Sequence, residues 1–100
     1  MKPEDDLELY QQISKYSDIS DDMKIEVEYD KDLTAEEKQN ILFPLIGEVK
    51  DIADRIIEEY VLYCKNKSDK EVTKKLIDDL EFIIERIDYF NETIEQLYKK

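Results

Sequence analysis

Between Leu76 and Leu97 the apolar side chains return at alternating intervals of four and three: Leu76, Leu80, Ile83, Ile87, Phe90, Ile94 and Leu97. An α-helix turns once in about 3.6 residues, so that rhythm lays all seven on one stripe. The spacing predicts a helix over residues 69–99. Ser68, Asp69, Lys70 and Glu71 precede it in the order of a capping box, with Ser68 as N-cap and Glu71 reaching back.

The same rhythm runs through Leu42, Ile46, Val49, Ala53, Ile56, Tyr60 and Tyr63, and predicts a second long helix over residues 35–65. Thr34, Ala35, Glu36 and Glu37 supply its capping box. Pro44 falls inside this pattern, where it removes a backbone donor and is expected to kink the first turns or split them off, with Gly47 nearby to ease the bend. One glycine and two prolines in the whole chain leave few other breaks.

Only residues 65–68 separate the two helices, which forces an antiparallel hairpin with arms of roughly 45 Å. The second helix carries further apolar residues on both flanks of its stripe, Leu45 and Ile52 on one and Ile57 and Val61 on the other. It is therefore expected to lie between two neighbours. Residues 3–17 provide the other neighbour as a short helix, with Pro3 in its first turn, Glu4, Asp5 and Asp6 where the helix dipole favours them, and Leu7, Tyr10 and Ile13 as the buried edge. The expected fold is mainly α: a helical hairpin of two long helices plus a short N-terminal helix, a three-helix bundle forming a single domain over residues 1–100.

Residues 23–30 fit two patterns. Ile25, Val27 and Tyr29 alternate with charged neighbours as in a half-buried strand, whereas Ile19, Met23 and Val27 stand at helical spacing. The alternation favours one short strand, which would need a partner strand from a second copy or a target.

Composition narrows the function. A net charge of −12 disfavours contact with nucleic acid phosphates or anionic membrane, and no apolar run approaches the roughly 18 residues that cross a bilayer. A protein with a basic surface is the better-matched partner. Cys64 is the single cysteine, so no intramolecular disulfide forms, and the opening Met1, Lys2, Pro3 and Glu4 is not a leader; both point to a cytoplasmic protein. Cys64 itself reads as a small core filler near the loop. Lysine outnumbers arginine, of which only Arg55 and Arg86 occur, and isoleucine and tyrosine are plentiful, a composition that resembles the product of an AT-rich bacterial or phage genome.

The chemistry of catalysis is missing. There is no histidine to act as a general base or zinc ligand, one cysteine cannot build a thiolate site, and Gly47 stands alone rather than in a phosphate-cradling loop. No catalytic residue, metal ligand or cofactor-binding residue is expected. The adjacent acids Glu58 and Glu59, and Asp78 and Asp79, would serve glycosidic hydrolysis only inside a cleft, and neighbours on a helix point different ways and are usually solvated.

What remains is a surface. Asp78, Glu81, Glu85, Asp88, Glu92 and Glu95 recur at intervals of three and four on the last helix, and Arg86 is the one cation between Leu76 and Tyr98. Phe82 and Tyr89 stand seven residues apart beside these acids, nearly opposite the apolar stripe by wheel angle. Aromatics rimmed by charge on a solvent face have the character of a binding hot spot. The expected partner contact is Asp78, Phe82, Glu85, Tyr89 and Glu92, the rings acting by burial and the acids by steering.

Opposite in sign, Lys65, Lys67, Lys70, Lys74 and Lys75 gather around the loop. The favoured function is a non-enzymatic protein-binding module, such as an inhibitor, an immunity or antitoxin-like factor or a small chaperone, that binds another protein with a basic surface. Two alternatives stand beside it. One is a nucleic-acid mimic, whose six acids over roughly 25 Å are sparser than the phosphates of a DNA strand at roughly 3.4 Å; the other is a self-associating bundle whose homodimer is the functional form.

Overall fold

A computed structural model describes the backbone of residues 3–99 and the side chains of residues 8–99. Three long helices carry the fold: α1 (Pro3–Glu28), α3 (Phe43–Lys65) and α4 (Lys70–Tyr98). A single turn, α2 (Ala35–Glu37), and a π-helical turn (Lys38–Leu42) lead into α3. Among the described residues there is no strand.

The N-terminal helix is not short, and the strand expected at residues 23–30 is absent: α1 runs on to Glu28. A strand there would have buried Ile25, Val27 and Tyr29 together. Instead Val27 is fully buried while Ile25 is 55% and Tyr29 75% exposed. The helix satisfies its own amides, which a lone strand without a partner does not. Met23 and Val27 then pack among Leu33, Leu42, Ile46 and Phe90. The inward stripe of α1 is Leu9, Ile13, Tyr16, Ser20, Met23 and Val27, again at intervals of four and three. Ile13 belongs to the buried edge as expected, but Tyr10 is exposed and reaches sideways to Tyr60 with ring centroids 6.0 Å apart. Leu7 lies outside the described side chains.

Ser20 interrupts this stripe without leaving an orphan. Its hydroxyl donates to the Ser17 carbonyl at 2.8 Å, and the Ser17 hydroxyl accepts from Lys50 Nζ at 2.7 Å, which ties α1 to α3.

The path from Ala35 to Lys65 is helical throughout, with Pro44 accommodated rather than disruptive. Thr34 and Glu37 form the expected capping box, at 3.1 Å from the Glu37 amide to Thr34 Oγ1 and 2.8 Å from the Thr34 amide to Glu37 Oε1. The chain then widens, so that the Phe43 amide donates to the Lys38 carbonyl five residues back. In a regular helix the Pro44 ring would collide with the Asn40 carbonyl; the wider turn relieves this and leaves Pro44 in the first turn of α3, where a missing N–H breaks nothing. At the other end the cap of α4 is shifted by one residue from expectation. Asp69, not Ser68, is the N-cap, accepting from the Glu71 and Val72 amides at 3.0 and 3.4 Å.

Glu48 pairs with Arg86, Arg55 with Asp79 and Glu59 with Lys75, so residue numbers climb along α3 as they fall along α4 and the two helices run antiparallel. Helix α3 also packs along α1, whereas the backbones of α1 and α4 hardly approach one another. Every residue of the α3 and α4 stripes is buried or half-buried. Of the flanks predicted for α3, Leu45 and Ile52 turn inward, but Ile57 and Val61 stay exposed. Cys64 is exposed as well and fills no core; it stands on the last turn of α3, one residue and so about 100° of rotation from the buried Tyr63.

The result is a rod of 50 × 21 × 18 Å whose radius of gyration, 15.9 Å, exceeds the ~13 Å of a compact chain this long. At the end away from the loop, the Tyr98 hydroxyl donates to the Asp30 carboxylate and Lys38 Nζ donates to the Glu28 carbonyl, fastening α4 and the π turn to the end of α1. That hydrogen bond pushes the Tyr98 phenol up to about 12 and holds Asp30 below the usual carboxylate range.

Two substitutions probe this packing in opposite directions. A methyl group at Gly47 would meet no atom within 4 Å, and its backbone is not left-handed; Gly47→Ala is expected to stabilise the chain by about 0.5–1 kcal/mol in urea unfolding followed by circular dichroism. Ile83 is fully buried, and Ile83→Ala is expected to cost about 2–5 kcal/mol in the same measurement.

Candidate functional site

The five residues singled out on α4, namely Asp78, Phe82, Glu85, Tyr89 and Glu92, are all exposed, Phe82 by 44% and Tyr89 by 50%. The rings do not lie opposite the buried stripe. Ile83 marks the centre of that stripe, and one residue along a helix is about 100° of rotation, so Phe82 sits on its flank, on the side of α3. There it joins Glu48, Asp51, Ile52 and Arg55 of α3 and Arg86 of α4 in lining a groove between the two helices. Leu62, half exposed, follows Arg55 by seven residues on the same flank of α3.

The electrostatics of this face are uneven. Both arginines of the chain line the groove, and both are already engaged. Arg86 pairs with Glu48 and holds its guanidinium carbon 4.9 Å from the centre of the Tyr89 ring, a cation–π contact that fixes the ring's position. Arg55 donates through Nε and Nη2 to the two oxygens of Asp79, each at 3.1 Å. The outer acids are not neutralised in this way: Asp78, Glu85 and Glu92 make no ion pair with a described residue. The face therefore presents apolar rings between an inner row of balanced charge and an outer row of free carboxylates.

Deeper in the same interface is an arrangement that the sequence did not reveal. In each of the adjacent acid pairs, the first residue faces solvent and the second turns inward: Glu58 and Asp78 are exposed, Glu59 is buried and Asp79 half-buried. Glu59 is 4% exposed, and neither of its oxygens has a hydrogen-bond donor among the described residues. The nearest cations, Arg55 Nε and Lys75 Nζ, stand 3.9 Å away, beyond hydrogen-bond range. Burial, together with the facing Asp79 carboxyl, pushes Glu59 up to about 7. Burial would raise Asp79 too, but a hydrogen bond from protonated Glu59 and the Arg55 guanidinium hold it below the ordinary range. Two carboxylates cannot hydrogen-bond to each other unless one carries a proton. Spacing contained the signal: Ile52, Ile56, Glu59 and Tyr63 continue the four-three rhythm of α3, with an acid where an apolar residue belongs.

Among the described residues no group of three or more potential metal ligands converges. No family model, curated protein or solved structure matches the chain.

The rings at the groove are expected to contribute little to folding. Phe82→Ser and Tyr89→Ser should each lower stability by no more than about 1 kcal/mol in urea unfolding, because half of each side chain is already in water. Phe90→Ala, one residue on and in the core, should cost about 3–5 kcal/mol.

Proposed function

We propose that this chain is a non-enzymatic binding module that docks a basic surface of another protein against the α3–α4 hairpin, with Phe82 and Tyr89 as apolar anchors and Asp78, Glu85 and Glu92 as the steering acids. The observation that carries this reading is the pairing pattern of the groove. Its cations are consumed by acids within the chain, while the acids outside it have none. A cationic partner would gain the outer carboxylates without having to displace an existing ion pair, and its on-rate would benefit from the net charge of −12.

The rings provide what charge alone does not. Exposed carboxylates in water contribute little affinity, whereas an aromatic side chain buried at the centre of an interface commonly accounts for 2 kcal/mol or more, on the order of 30-fold in affinity. Arg86 holds Tyr89 from beneath, which limits the conformational entropy lost when a partner covers it. The reading requires neither a cofactor nor a metal. It places the protein among inhibitors, immunity or antitoxin-like factors or small chaperones of the cytoplasm.

The test compares two double variants as bait in the native lysate. Phe82→Ala with Tyr89→Ala is expected to abolish capture of co-purifying proteins, with roughly 100-fold or greater loss of affinity for a partner once isolated. Ile57→Ala with Val61→Ala, on exposed positions of the other flank of α3, is expected to leave capture intact. Equal capture by both would remove the groove as the docking surface.

A further inference from the structure

We propose that Glu59 and Asp79 form a one-proton latch between α3 and α4, closed while a proton bridges the two carboxyl groups and released when that proton leaves for solvent. In the closed state the Glu59 hydroxyl donates to Asp79, and Asp79 in turn accepts both N–H groups of Arg55. One Glu59 oxygen, the one that carries the proton, then has a partner, where without the proton neither finds a donor among the described residues. Loss of the proton leaves two like charges facing each other across the interface, with one of them 96% out of water by its 4% exposure. Such a carboxylate gains most by reaching solvent, and it can do so only if the helices part.

The charges facing Glu59 do not cancel this penalty. From α3 there is Arg55, already committed to Asp79; from α4 there are Asp79 and Lys75; among the described residues α1 adds none. Arg55 and Lys75 are half or more exposed, so their attraction is screened by water, whereas the carboxyl they would have to stabilise is enclosed. Glu59 lies on α3 about as far from the loop as Lys75 does on α4. Parting at this level frees the loop end of the rod, with Tyr63 and Leu76, while the packing around Phe90 is untouched.

The sign follows from linkage. Glu59 binds its proton more tightly folded than unfolded, so the stability of the closed latch is complete below the ordinary glutamate range near 4.5 and is lost as pH rises to about 7. Asp79 is displaced the other way and loses its contribution only as pH falls below the aspartate range near 3.8, outside this window.

The device is a property of the free chain and stands independently of any partner at the groove. It is tested on the full chain by three measurements. Carbon-13 titration of the side-chain carboxyls, with Glu59 assigned by its disappearance in Glu59→Gln, is expected to give a Glu59 midpoint near 7 that falls in Asp79→Asn. Thermal unfolding of Glu59→Gln, an uncharged isostere that keeps a donor for Asp79, is expected to match the native chain at pH 5 and exceed it at pH 8 by about 5 °C or more. Amide hydrogen exchange, corrected for base catalysis, is expected to show loss of protection between pH 6 and 8 in the loop-side turns of α3 and α4 but not around Phe90, and none in Glu59→Gln. A Glu59 midpoint in the ordinary carboxylate range, parallel melting of the two proteins across this pH window, or equal loss of protection at both ends of the rod would each overturn the latch.

Discussion

Everything in this fold hangs on the two-sided apolar face of α3. Helices α1 and α4 bring one stripe each, but their backbones barely meet, so neither has a core without the helix between them. Ile56 and Val49, both fully buried, sit where the three stripes converge. A rod only about two helices thick encloses few residues that are shielded on all sides, so its stability is concentrated in single file along that line. It also follows that a polar group placed in the line is expensive, because there is no second layer of apolar contacts to compensate.

Two polar groups do stand in the line, and they are treated differently. Ser20 closes its hydroxyl onto its own helix, a bond that any helical segment can supply. Glu59 has no such local acceptor or donor and depends on a residue of another helix, Asp79, which is itself an acid. One arrangement is inert across the physiological range; the other changes with a single proton. The difference lies in whether the compensating group comes from the same turn or from across an interface.

Charge is sorted by position as well. Arg55, Arg86 and Lys50 are placed at the seams between helices, where each bridges to an acid of a neighbouring helix. The acids that outnumber them are left on the outer faces. With a Debye length of about 8 Å at physiological salt, the acidic side of α4 and the lysine-rich loop act as separate surfaces on a molecule 50 Å long. The net charge is therefore a property felt at long range, while the pairing around Phe82 and Tyr89 is local.

The long helices α3 and α4, their apolar stripes, the Thr34 cap and the exposure of Phe82, Tyr89 and the acids beside them were legible in the sequence, because periodicity and capping depend on residues within a few positions of one another. The extent of α1 was not. Its stripe is broken by a serine and a tyrosine, and the choice between helix and strand at residues 23–30 was settled by Leu33, Leu42 and Phe90, which arrive from other parts of the chain to cover Met23 and Val27. Spacing held a sign of the inward turn of Glu59, but the acid it meets was hidden for the same reason: only the antiparallel register of α3 against α4 brings Asp79 to it. Local spacing determined which segments are helical and which side of each is apolar; tertiary packing decided where α1 ends, which edge of α4 carries the rings, and that Glu59 is kept from water, since burial is a property of what lies across an interface and not of the residue itself.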